Sequence, residues 1–97
     1  MILRIVHMHF KPGSVEEFLR LFEHHRDAIA GSAGCRSLRL VRSEDNMTSL
    51  STVSIWDSAS DLDAYRHGAL FAEVWPHTKA LFASSPHAES HNVLWAS

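Results

Sequence analysis

The sequence predicts an α+β fold with the element order β-α-β-β-α-β and a four-stranded antiparallel sheet. Three observations carry this. Apolar residues alternate with a period of two near both ends and twice in the middle. Two longer segments between these runs place apolar residues at helical spacing. The joints hold chain breakers: Pro12-Gly13, Gly31 to Gly34, Glu44-Asp45-Asn46 and Ser85-Pro86.

The first strand spans Ile2 to Phe10, with Ile5, His7 and His9 on one face and Val6, Met8 and Phe10 on the other. Both faces are apolar or aromatic enough to be covered. Periodicity pairs these residues without orienting them; Ile5, His7 and His9 are assigned to the helix-facing side. Ser14 and Glu17 form a capping-box pattern, and Val15, Phe18, Leu19, Phe22, Ile29 and Ala30 make the stripe of a helix ending near Gly31 or Gly34. Cys35 to Ser43 and Thr48 to Trp56 read as strands joined by a polar hairpin turn.

Ser58 and Ser60 are cap candidates for a second helix carrying Leu62, Tyr65 and Arg66. Gly68 bends it, and a further helical piece covers about Ala69 to Phe82 with Pro76 inside. The last strand is expected over about Ser90 to Trp95. One sheet face would then lack cover within a single copy. Exposed apolar surface is unfavourable by about 25 cal/mol per Å², so a homodimer paired through the sheet is expected.

A length of 97 residues implies one domain over 1–97. Hydrophobic residues make up 45% and charged residues 21%, as in soluble globular proteins. Nine basic against eleven acidic residues provide no footprint for a nucleic-acid backbone. Cys35 is the one cysteine, which excludes an internal disulfide and a four-thiolate metal site. No segment approaches the roughly 20 apolar residues of a membrane span, and no cleavable leader pattern opens the chain. The expectation is a cytoplasmic protein with neither nucleic-acid nor membrane partners.

Eight histidines and three tryptophans are many for this length and raise the question of an imidazole-rich aromatic cavity. His7 is the first candidate for catalysis, because a strand fixes its backbone and imidazole transfers protons near neutral pH. A satisfied core histidine is the plainer reading. Tyr65 could hydrogen-bond a phenolate or quinone oxygen, and Trp75 could form a flat wall or simply anchor the core. Ile5, His9, Phe22 and His77 complete the candidate binding set. His24 and His25 point about 100° apart on a helix, and no HExxH occurs, so no metal site is expected. GxSxG, GxGxxG and Walker patterns are absent, as is a helix N-terminus that would activate Cys35.

The chain resembles the antibiotic biosynthesis monooxygenase-like group of dimeric α+β barrel proteins. The resemblance rests on the first strand running into Lys11-Pro12-Gly13, on Glu17-Phe18, and on Trp56-x-Ser58-x-x-x-Leu62-x-x-Tyr65 continuing to Phe71. It implies a ferredoxin-like monomer whose sheets pair into a barrel. It also implies oxidation of a small aromatic phenol or quinol by molecular oxygen without cofactor, His7 assisting deprotonation while Tyr65 and Trp75 hold the ring. Haem-degrading members of the group use an asparagine, a tryptophan and a haem-ligating histidine; by spacing these positions hold His7, Tyr65 and Trp75 here. An indole does not ligate iron as histidine does, and His77 is displaced by two residues, so haem is disfavoured. The alternative is a small-molecule or haem-binding protein of the same fold without turnover.

Overall fold

The computed structural model describes residues 1–97. Strands β1 (Ile2–His9), β2 (Cys35–Arg42), β3 (Ser49–Trp56) and β4 (His87–Asn92) form one antiparallel sheet in the order β2-β3-β1-β4. Helices α1 (Val15–Ala30), α2 (Ala59–Arg66) and α3 (Ala69–Lys79) pack on one side of it. This is the expected α+β, ferredoxin-like arrangement, with the second helix broken at Gly68. No helix is long and apolar enough to cross a membrane.

The sides of the sheet are reversed relative to the sequence-based assignment. Met8 and Phe10 join Val15 and Phe18 of the α1 layer, Leu50 of β3 and Leu81 in the buried core. Met8 is 2% and Phe10 1% exposed. Phe10 stacks on Phe18 with ring centroids 4.4 Å apart. Alternation therefore turns Ile5, His7 and His9 to the opposite side, which no helix covers. The physical reason lies in the register. Met8 faces Leu50 on the helix side, while His7 and His9 face Ser51 and Ser49 on the open side. At the other end of β1 the open side is the greasier one, where Leu3 and Ile5 face Ile55 and Val53. The helix side carries Ile2, Val6, Met8 and Phe10 with Arg4, and the open side Leu3 and Ile5 with His7 and His9, so both faces hold apolar residues and a period-two pattern by itself does not orient the strand.

Local chemistry sets the element ends. Ser14 makes no side-chain cap; its backbone is already helical because the turn over Pro12–Ser14 runs directly into α1. A side-chain N-cap is found instead on α2. The Asp61 amide donates to Ser58 Oγ at 3.1 Å, and the Ser58 hydroxyl donates back to Asp61 Oδ2 at 2.9 Å. Gly34, at φ +81, lets the α1–β2 link pass against Asp61, where a Cβ would collide with that side chain.

Two ends differ from expectation. α3 stops at Lys79, short of Phe82, because Leu81 accepts from the Lys11 amide at 3.1 Å and Phe82 bridges to Phe10. β4 begins directly after Pro86 and ends at Asn92, because its partner β1 ends at Ile2. Val93 makes one last bond to the Met1 carbonyl, and Leu94 and Trp95 are 95% and 83% exposed.

The Phe10–Phe18 contact seals the core beneath the helices. Phe10→Ala is expected to lower unfolding free energy by about 3–5 kcal/mol in urea titrations, the cost of a large buried truncation.

Candidate functional site

Between the helices and the sheet lies a cavity of about 280 Å³. This is close to the lower end of ligand pockets, roughly 300–1,000 Å³, and suits a molecule of one or two rings. Its floor is Arg4, Val6 and Met8 of β1 with Thr52, Ser54 and Trp56 of β3. α1 contributes Phe18, Phe22 and Ile29; α2 contributes Leu62, Tyr65 and Arg66; α3 contributes Phe71, Val74, Trp75 and Thr78.

The aromatic side chains form a connected wall. Ring centroids are separated by 5.1 Å from Trp56 to Tyr65, 5.4 Å from Tyr65 to Phe71 and 5.5 Å from Phe71 to Trp75. Such spacings are those of mutually attractive offset and edge-on rings. The break at Gly68 makes this possible. It lets Tyr65 at the end of α2 and Phe71 at the start of α3 meet edge to face. A side chain at Gly68 would press on the Ala64 and Tyr65 carbonyls at 3.3 Å.

Polar groups in the cavity are few. The Trp56 indole nitrogen donates to Ser54 Oγ at 2.9 Å, so this pair is satisfied internally. Desolvation, and to a lesser degree the neighbouring Cys35, pushes the Tyr65 phenol up to about 12. Tyr65 is thus a hydrogen-bond donor throughout the neutral range. Burial likewise raises the Cys35 thiol. No aspartate, glutamate or histidine lines the cavity.

Three of the expected site residues, Tyr65, Trp75 and Phe22, meet in this cavity. The others do not. His7 and His9 lie across the sheet, where their Nδ1 atoms pair with Ser51 Oγ at 3.0 Å and Ser49 Oγ at 2.9 Å. Ile5 shares that side. His77 points out of the cavity and pairs with Glu17 at 3.3 Å. On the open side, His7, His87 and His91 all approach Glu89, at 3.6–3.7 Å. Desolvation opposes the charge on that carboxylate, but the pull of His91 and His87 prevails and holds it below its usual range.

Arg4, Arg66, Trp56 and Ser54 line the cavity although none of them is among the expected site residues. Arg4 carried a signal: it is the one charge inside the apolar run Ile2-Leu3-Arg4-Ile5-Val6. Haem does not suit this cavity. It presents no histidine or cysteine, and Tyr65 would ligate iron only as a phenolate, a form its surroundings disfavour.

A family model described as antibiotic biosynthesis monooxygenase matches residues 1–80. No functionally curated protein matches the chain. Among solved structures, Rv0793 from Mycobacterium tuberculosis is similar at a TM-score of 0.90 with 18% identity, covering 99% of this chain and 97% of that one. A structure titled antibiotic biosynthesis monooxygenase gives 0.89 with 15% identity over 97% and 99%. A conserved protein from Methanosarcina mazei Go1 gives 0.88 with 20% identity over 94% and 91%. At these identities the structural likeness establishes the fold.

Tyr65 is the only tyrosine, so its titration can be followed cleanly. Tyrosinate absorbance is expected to rise only near pH 12 in the folded protein, against 10.0 for a free phenol. The folded state holds the proton more tightly than the unfolded state. Its contribution to stability is therefore intact below pH 10 and lost as pH rises through about 12. An absorbance midpoint near 10 before unfolding would show an exposed phenol instead.

Proposed function

The chain belongs to the antibiotic biosynthesis monooxygenase family, and from that premise we propose that its cavity oxidises a small aromatic phenol or quinol with molecular oxygen, using no bound metal or flavin. The observation that supports this most is the connected aromatic wall of Trp56, Tyr65, Phe71 and Trp75. A flat electron-rich ring packs well against it.

The chemistry then resides in the substrate. A phenolate gives one electron to oxygen, and the resulting pair joins as a peroxide at the ring carbon para to the oxygen. Loss of that carbon's proton with cleavage of the O–O bond expels hydroxide, which takes a proton to become water. For 1-naphthol the balance is one naphthol and one O2 to one 1,4-naphthoquinone and one water. Tyr65, held in its protonated form, donates a hydrogen bond to the substrate oxygen and so favours the phenolate that reacts with oxygen. Trp75 and Phe22 orient the ring. The scheme assigns no role to His7, which lies across the sheet, and the phenol proton passes to solvent.

A second reading has its own support. No carboxylate or imidazole lines the cavity to act as general base. This favours a protein that binds the same aromatic ligand without turning it over.

We also propose that the open sheet face pairs with a second copy. Leu3, Ile5, Val53 and Ile55 form a contiguous apolar patch there that no helix covers.

Oxygen-electrode assays over naphthols and quinols are expected to show stoichiometric uptake with quinone formation. Tyr65→Phe should lower kcat by about a hundredfold, the lower end for one lost charge-stabilising donor, and Trp75→Ala should mainly raise KM. Calorimetric binding without oxygen uptake across the panel would establish the binding-only reading. Sedimentation velocity is expected to show a dimer. Ile5→Asp should weaken pairing by about tenfold or more, as expected for a charge placed in an apolar interface; a wild-type monomer at high concentration would refute the pairing.

A further inference from the structure

We propose that the cavity recognises an aromatic ligand through an anionic group, a ring carboxylate, held by Arg4 and Arg66. The aromatic ring it carries follows the reading above; the anion site itself stands on separate observations.

The first is the placement of Arg4. It sits on a central strand, on the helix-covered side, among apolar neighbours. It is partly buried, and the accompanying desolvation disfavours its charged form. Its cross-strand neighbours are Ser54 on one side and Ser90 on the other. Both are small and neutral. Only one of them bonds it, through Arg4 Nη1 donating to Ser90 Oγ at 3.0 Å. A guanidinium has five N–H donors in a fixed fork, so most of its capacity is unspent.

The second is Arg66. It lines the same cavity from the last turn of α2 and is solvent-exposed. Its charge acts on Arg4 repulsively. Two cations thus share one cavity that contains no acidic side chain. Every ion pair in the fold lies elsewhere, at Glu89, Asp57, Asp63 or Glu17, and none involves Arg4 or Arg66. A surface arginine solvated at random would not need a partner. Two guanidiniums line an otherwise apolar, aromatic-walled cavity that has no carboxylate among its lining residues, an excess of positive charge that a bound carboxylate would balance. The planar fork matches a carboxylate in geometry as well as in sign. The ligand class is therefore a one- or two-ring aromatic acid, its ring on the Tyr65–Phe71–Trp75 wall and its carboxylate toward Arg4 and Arg66.

The test compares 1-hydroxy-2-naphthoate with its neutral carboxamide by isothermal titration calorimetry at low and high salt. The carboxylate is expected to bind at least about tenfold more tightly, as charge-assisted hydrogen bonds allow, with an advantage that shrinks as salt rises. Arg66→Gln should cut that preference severalfold, and Arg4→Gln with Arg66→Gln should bring it near unity. Arg4→Lys, which keeps the charge without the fork, should fall between. Circular-dichroism melts establish that each variant is folded; should Arg4→Gln not fold, Arg66→Gln on its exposed site decides. Equal affinity for acid and amide, or a preference that survives in the folded variants, would overturn the proposal. Oxygen uptake separates the two readings. Selective acid binding without uptake leaves the anion site standing and removes the oxygenase. Uptake with neutral naphthols and no acid preference does the reverse.

Discussion

The placement of Phe10 against Phe18 is the contact on which the rest of the molecule depends. Their rings stack at 4.4 Å where β1 runs on toward the Pro12–Ser14 turn. Because side chains alternate along a strand, fixing Phe10 on the helix side also fixes Met8, Val6 and Arg4 there. The same step sends His9, His7, Ile5 and Leu3 to the other side. One aromatic pair therefore decides which residues surround the cavity and which face away from it. The antiparallel register then extends the decision to the neighbouring strands, giving Leu50, Thr52, Ser54 and Trp56 to the cavity side of β3.

Much of this architecture was legible in the sequence. The order of elements follows from alternation, helical spacing and breakers, and the break at Gly68 was visible as a glycine between two helical stripes. The side of β1 was not legible. Met8 and Phe10 weigh toward one face, Leu3 and Ile5 toward the other, and a period-two pattern has no sign. Histidine also misled. His7 was attractive as a titratable group on a rigid strand, yet serines Ser49 and Ser51 opposite His9 and His7 provide the partners of an ordinary polar patch. The more informative signal was Arg4, a lone charge within an apolar run. Its meaning depends on knowing the side to which it points.

The helix side shows how a small fold makes a cavity without weakening its core. One connected cluster of buried side chains lies near the Phe10 end of β1. Toward Arg4 the sheet offers serine and threonine, and the overlying layer changes from one long helix to two short ones joined at Gly68. Short side chains below and a broken helix above leave room that longer ones would fill. The aromatic wall then supplies rigidity where aliphatic packing is thin. Tyr65 owes both its raised pKa and its place on the wall to this setting.

The alternation along β1 has a consequence for how such a protein can diversify. Val6 and His7 are adjacent in the chain, but one touches the cavity and the other does not. The sheet acts as an insulating partition, with recognition written in even-numbered positions and the outer surface in odd-numbered ones. A substitution at Arg4 or Val6 can retune what enters the cavity while leaving the outward-facing letters of the same strand unread. Such interleaving lets two traits drift independently within eight consecutive residues.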